Sequence, residues 1–111
     1  MQKIINNYEE FVKSTQKFPR DVANEYLVLG LASEAGEVAG VWKRLLRQDV
    51  SNVNHDDVRE HMLQELGDVL WYVTALCLQN NTSLEELIMI NTEKLAKRLE
   101  NNTIKGKGDN R

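Results

Sequence analysis

Four acidic side chains stand out by type and spacing. Glu34 and Glu37 lie three residues apart, as do Glu65 and Asp68, and 27 residues separate the two couples. Residues three apart share one face of a helix, so each couple can aim two carboxylates at one point. Carboxylates held beside apolar surface repel one another unless a cation joins them. The apolar stretches around them hold almost no Lys or Arg, which favours a divalent metal as that cation. Hard oxygen ligands suit Mg²⁺ or Mn²⁺, ions that keep water and complete their shells with phosphate oxygens. A lone E-x-x-E is usually a solvated helix face; its recurrence on two consecutive segments carries the reading.

The elements that must position these acids are helical. Leu27, Leu31, Glu34, Val38, Val41 and Leu45 recur with spacing 4,3,4,3,4, so Glu34 occupies a place in an apolar stripe and Glu37 its edge. Met62, Leu63, Leu66, Val69, Leu70, Val73 and Cys77 form a second stripe. His61, Glu65, Asp68 and Tyr72 run along its flank. Gly30, one turn before Glu34, permits close approach of a ligand or of another backbone. Four helices are predicted: about 2–16, then 21–48 with Asp21 as N-cap, then a third from a cap at Asn54 or Asp56 to about Gln79. The capping box Ser83-Leu84-Glu85-Glu86 opens the fourth, which ends near Leu99. Lys17-Phe18-Pro19-Arg20, the stretch 49–56 and Asn80-Asn81-Thr82 separate them. No segment alternates with a period of two. The expected fold class is all-α, a four-helix bundle-like arrangement with short connections.

A chain of 111 residues makes one domain, expected over 1–99, followed by a basic, glycine-containing tail over 100–111. A core of this size is modest, and self-association would enlarge it. Seventeen acidic against 14 basic residues give a net charge of −3, which argues against nucleic acid as a partner. Basic residues gather from Lys94 onward, where they serve phosphate binding or solubility equally well. Cys77 is the sole cysteine, in an apolar run of ten residues (Val69–Leu78) too short to cross a bilayer. Packing is the expected role of its thiol. With no apolar leader at the N-terminus, the expected localisation is cytoplasmic, with no membrane partner.

With these residues in view, the chain resembles the MazG-type all-α nucleoside triphosphate pyrophosphohydrolases. Glu34-Ala35-Gly36-Glu37 and Glu65-Leu66-Gly67-Asp68 match that family's E-x-x-E, spacer, E-x-x-D signature. The flanking words LASEAGEVAG and LQELGDVLWYV read like its helices, and the likeness extends over about 24–98. The resemblance implies hydrolysis of a (d)NTP to the monophosphate and pyrophosphate, in a nucleotide-pool house-cleaning role. It implies that Glu34, Glu37, Glu65 and Asp68 bind Mg²⁺ and form the catalytic set, and that the protein assembles as a dimer or tetramer.

Further substrate-binding residues follow from the same likeness. Asn91 interrupts the fourth helix's stripe of Leu84, Ile88 and Leu95. With Lys94 it is similar to a metal-proximal amide and a phosphate-binding ammonium; a buried amide bonded to backbone is the other reading of Asn91. Lys107 and Arg111, in the run Gly106-Lys107-Gly108-Asp109-Asn110-Arg111, resemble a tail that folds over phosphates. Tyr72, on the acidic line, is a candidate to stack on a base, as are Phe18, Trp42 and Trp71, though the two tryptophans also suit core or interface. Gln16-Lys17-Phe18-Pro19 departs from the His and Trp that pyrimidine-reading relatives carry early in the chain. Two alternatives stay open: phosphoribosyl-ATP pyrophosphohydrolase, and a non-catalytic helical module whose acids form salt bridges between subunits.

Overall fold

In a computed structural model of the chain, which describes residues 2–47 and 55–101, the apolar stripes become four helices. These are α1 (Gln2–Ser14), α2 (Ala23–Arg47), α3 (His55–Gln79) and α4 (Leu84–Glu100), with a short 3-10 turn at Arg20–Val22 ahead of α2. No strand occurs among the described residues, so the all-α expectation is met. Gly106, Lys107, Gly108 and Arg111 lie outside the described residues, as does the connection between α2 and α3. No described helix is long and apolar enough to cross a membrane.

Helices α2 and α3, each 25 residues long, form the main pairing of the fold. Their register is antiparallel, as three cross-contacts show. Asn80 Nδ2 donates to Asn24 Oδ1 at 3.1 Å at one end, and Trp42 Nε1 lies 3.1 Å from Met62 Sδ at the other. Between them the Tyr72 ring rests against Gly30. The 4,3 stripe of α2 faces inward as expected, with Leu27 and Val41 buried and Leu31, Val38 and Leu45 half-buried. Burying such a stripe is the main reason so long a helix persists.

The closed core sits where α1 crosses this pair. Val12, Leu27 and Ala75 are its buried centre, ringed by Tyr8, Phe18, Trp71, Tyr72, Leu76 and Leu78. Cys77 is buried nearby as a free thiol, and burial, with the Glu9 charge, pushes its pKa up. This suits the packing role expected of it.

Boundaries differ from the sequence expectation for local reasons. Helix α1 stops at Ser14, two residues early, because the Ser14 and Thr15 hydroxyls donate back to the Phe11 carbonyl at 2.7 and 3.2 Å. The Thr15 hydroxyl also accepts the Trp71 indole N–H at 2.8 Å. Asp21 does not cap α2; Pro19 fixes an extended φ/ψ of −62°/126°, and the turn at Arg20–Val22 runs straight into Ala23. Helix α3 starts at His55, so Asp56 lies in its first turn, where an acid favours the helix dipole.

Helix α3 ends in a Schellman arrangement around Asn81, whose φ of 59° is left-handed. The Thr82 N–H reaches the Cys77 carbonyl at 2.9 Å and the Asn81 N–H the Leu78 carbonyl at 3.3 Å. Ser83 then caps α4 as expected, its hydroxyl accepting the Glu86 N–H. The reciprocal half of the capping box is replaced: the Glu86 carboxylate takes the Thr82 hydroxyl at 2.6 Å. A buried acid from α1 completes the cap, with Glu9 Oε2 accepting the Leu84 N–H at 3.0 Å.

Candidate metal and nucleotide site

The antiparallel register sets Glu34 of α2 across from Asp68 of α3, one turn beyond the Gly30–Tyr72 contact. Carboxylate oxygens of Glu34, Glu65 and Asp68 lie within 4.8 Å of one another. Glu34 and Glu65 are half-buried and Asp68 is exposed, so the group opens to solvent on one side. Glu37 is exposed one turn farther along α2 and stands outside this threesome, although its charge is felt at Glu34.

Crowding leaves an electrostatic trace. The Glu34 carboxyl is pushed above its ordinary pKa, first by partial burial, then by the charges of Asp68 and Glu65. A hydrogen bond to Glu65 and the Glu37 charge add to this. No Lys or Arg among the described residues forms an ion pair with the three acids. The nearest nitrogen donor is an imidazole: His61 Nε2 lies 3.3 Å from Glu65 Oε1, one turn earlier on α3. A divalent ion fits this donor set. Its three carboxylate oxygens, within 4.8 Å of one another and open to solvent, are the hard ligands that Mg²⁺ would take alongside water and phosphate.

Aromatic residues border the acids. The Tyr72 pKa is raised first by burial, then by the neighbouring Tyr26 hydroxyl, and then by the Glu34 and Asp68 charges. Tyr26 stacks on Phe18 with centroids 5.1 Å apart and planes 14° from parallel. The Arg20 guanidinium covers the Phe18 ring at 4.6 Å. From α1, half-buried Tyr8 is also held protonated, by burial and then by the Asp68 charge. Trp71 meets Tyr72 edge-on at 5.0 Å and is half-buried, in line with a packing role.

Of these neighbours, the sequence reading missed Tyr8, Arg20 and Tyr26. Tyr8 and Tyr26 look like ordinary stripe-edge residues until α1 and α2 are docked, whereas His61 was legible as the head of the acidic line.

An arrangement of facing acids on two antiparallel helices invites comparison with known proteins. The MazG nucleotide pyrophosphohydrolase domain matches residues 22–103, which takes in α2, α3 and α4. The chain belongs to the MazG family. It is also 41% identical over 86 residues to the Gene 37 protein of Mycobacterium phage L5, covering 78% of this chain and 75% of that one. No solved structure gives a significant match.

Two of the residues that the MazG resemblance singled out are carried by α4. Helix α4 contacts α3 and α1 but not α2. Asn91, expected within a buried stripe, is exposed, and so is Lys94. The stripe itself stays open beyond Leu84: Ile88 is 48% and Leu95 39% exposed. Trp42 is exposed near the far end of α2.

Proposed function

We propose that this chain is a Mg²⁺-dependent nucleoside triphosphate pyrophosphohydrolase. It converts a (d)NTP and water to the (d)NMP and pyrophosphate, a reaction that serves house-cleaning of the nucleotide pool. The observation that carries the reading is the gathering of Glu34, Glu65 and Asp68 on facing helices of a MazG-family chain.

In this reading Glu34, Glu65 and Asp68 hold the metal, with Glu37 reaching in from the rim. Mn²⁺ would fit the same donors. When bound, the ion neutralises triphosphate oxygens and acidifies water. The chain's own groups supply the rest. A carboxylate of the cluster accepts the proton of the attacking water as oxygen adds to the α-phosphorus, and the bond to the β-bridging oxygen breaks to release pyrophosphate. Tyr8, held protonated beside the acids, offers a hydroxyl donor rather than added negative charge. His61 fixes the orientation of Glu65. Lys107 and Arg111 remain candidates for closing over the phosphates.

We further propose that the protein works as a self-associated assembly. Exposed Ile88, Met89, Leu95 and Leu99 on α4, with Leu63, Leu66 and Leu70 on α3, form more open apolar surface than a monomer usually tolerates. Asn91 and Lys94 are carried on the same helix and would be delivered to a neighbouring copy's acids.

The test is incubation of the purified chain with each dNTP and Mg²⁺, with phosphoribosyl-ATP alongside. Monophosphate and pyrophosphate in equal amounts are expected. Release of orthophosphate, or turnover of phosphoribosyl-ATP alone, would overturn the nucleotide-pool reading.

A further inference from the structure

Glycine in the middle of a 25-residue helix asks for a reason, and at Gly30 the reason is a single side chain. A Cβ built there would fall 2.7 Å from Tyr72 Cδ1 and closer still to Cε1 and Cζ, so the Tyr72 ring occupies the space a side chain would need. The other described helical glycines differ. Gly36 and Gly67 have nothing within 4 Å of such a Cβ, and Gly40 meets only the flexible end of Arg44. Lying in this notch, the Tyr72 ring sits one turn from Tyr26 along α2, and Tyr26 in turn stacks on Phe18 beneath Arg20. The row runs from the acidic cluster to a guanidinium-capped ring, and Tyr26 within it is 41% exposed.

We propose that Gly30 is a positioning residue: by leaving room for the Tyr72 ring against α2 it holds the Tyr72–Tyr26 pair as an aromatic wall beside the acids, on which the substrate's base stacks. The inference rests on the pyrophosphohydrolase reading for the identity of the ligand, a nucleoside triphosphate. Phosphates seated at the acids leave the base to lie along this row, which begins at Tyr72, one turn from Asp68 on α3. Ring stacking tolerates every base, so the wall sets affinity for the nucleotide rather than a strict choice among bases.

The experiment uses the full chain as wild type, Gly30→Ala, Tyr72→Leu and the double variant. Nucleotide binding is followed in Ca²⁺ by quenching of Trp71, which touches Tyr72 edge-on, in a Trp42→Phe background. Turnover is followed in Mg²⁺, and uptake of Mn²⁺ alone by calorimetry. Gly30→Ala is expected to weaken nucleotide binding and raise KM by about tenfold, the scale of one lost base stack. It should change kcat little. Tyr72→Leu should do the same, and the double variant no more than either, since both remove one wall. Mn²⁺ uptake should hold throughout, because the acids are untouched.

Unchanged KM in Gly30→Ala, multiplying effects in the double variant, or a loss confined to kcat or to Mn²⁺ uptake would each overturn the positioning role. The two readings fail separately. Binding without hydrolysis sinks the reaction and leaves the wall, hydrolysis with Gly30-independent binding sinks the wall and leaves the reaction, and no binding of any nucleotide sinks both.

Discussion

Glu34 sits where three other carboxylates discourage its ionisation, and that gives the metal-free protein a testable weakness. Its folded pKa lies above the ordinary 4.5, so the protonated form favours the fold. That contribution is complete below about pH 4.5 and is lost as pH rises through the folded pKa. Glu34→Gln should therefore melt higher than wild type at pH 7 without metal, by about 2 °C for a solvent-screened effect in a small domain. The gap should close near pH 4, and it should reverse when Mg²⁺ saturates wild type alone; a lower melting point at pH 7 without metal would contradict it. His61 tests the same cluster from outside: His61→Ala frees Glu65 and should weaken Mn²⁺ uptake by about tenfold in calorimetry, with no loss of helicity by circular dichroism. The acids were legible in the sequence because both their type and their spacing are written there. The outward turn of Glu37 was not. Three residues on a helix rotate by about 300°, so two acids so spaced lie about 60° apart around the axis. Which of them faces the neighbouring helix depends on docking, and here the stripe position held by Glu34 decides it.

At the scale of elements, the α2–α3 pairing was readable from two apolar stripes of matching length, and α4 from its Ser83 cap. What fixes the direction of α4 was hidden. The Glu9 carboxylate reaches the Leu84 N–H across 75 residues of sequence, a contact no local pattern announces. It joins a buried acid to the positive end of a helix, where a charge-assisted hydrogen bond is worth about 1.5–3 kcal/mol. Glu9→Gln keeps the shape and loses the charge, so it should lower the urea midpoint modestly; Glu9→Ala also leaves the Leu84 N–H buried and should cost about 2 kcal/mol. Hydrogen exchange that speeds up at the first turn of α4 before the rest of the chain would show that the loss acts there. An effect spread evenly over all four helices would contradict it. Gly30 shows the same limit in reverse. Its helix-breaking cost of about 1 kcal/mol was visible in the sequence, but the ring that explains it comes from the partner helix.

At the scale of the molecule, one copy looks incomplete. Its radius of gyration is 17.1 Å, against about 13 Å for a compact domain of this length. Helix α4 contacts α3 and α1 but not α2, and it carries Ile88, Met89, Leu95 and Leu99 exposed. Periodicity predicted a buried stripe there, and the stripe is real; the described residues leave it uncovered. In the proposed assembly a second copy covers it, and the same helix carries Asn91 and Lys94 toward that copy's acids. Sedimentation should accordingly find a dimer or larger assembly, and Ile88→Lys with Leu95→Lys should shift it to monomer with loss of turnover. Mixing separates delivery in trans from mere burial. Glu34→Gln and Lys94→Ala should each be inactive alone. If α4 serves the neighbouring copy, exchange of subunits makes mixed dimers in which one of the two sites has both intact groups. Half the dimers are mixed at equal ratio, so about a quarter of wild-type turnover should return. If Lys94 serves its own copy instead, every site keeps one defect and the mixture stays inactive however long the subunits exchange.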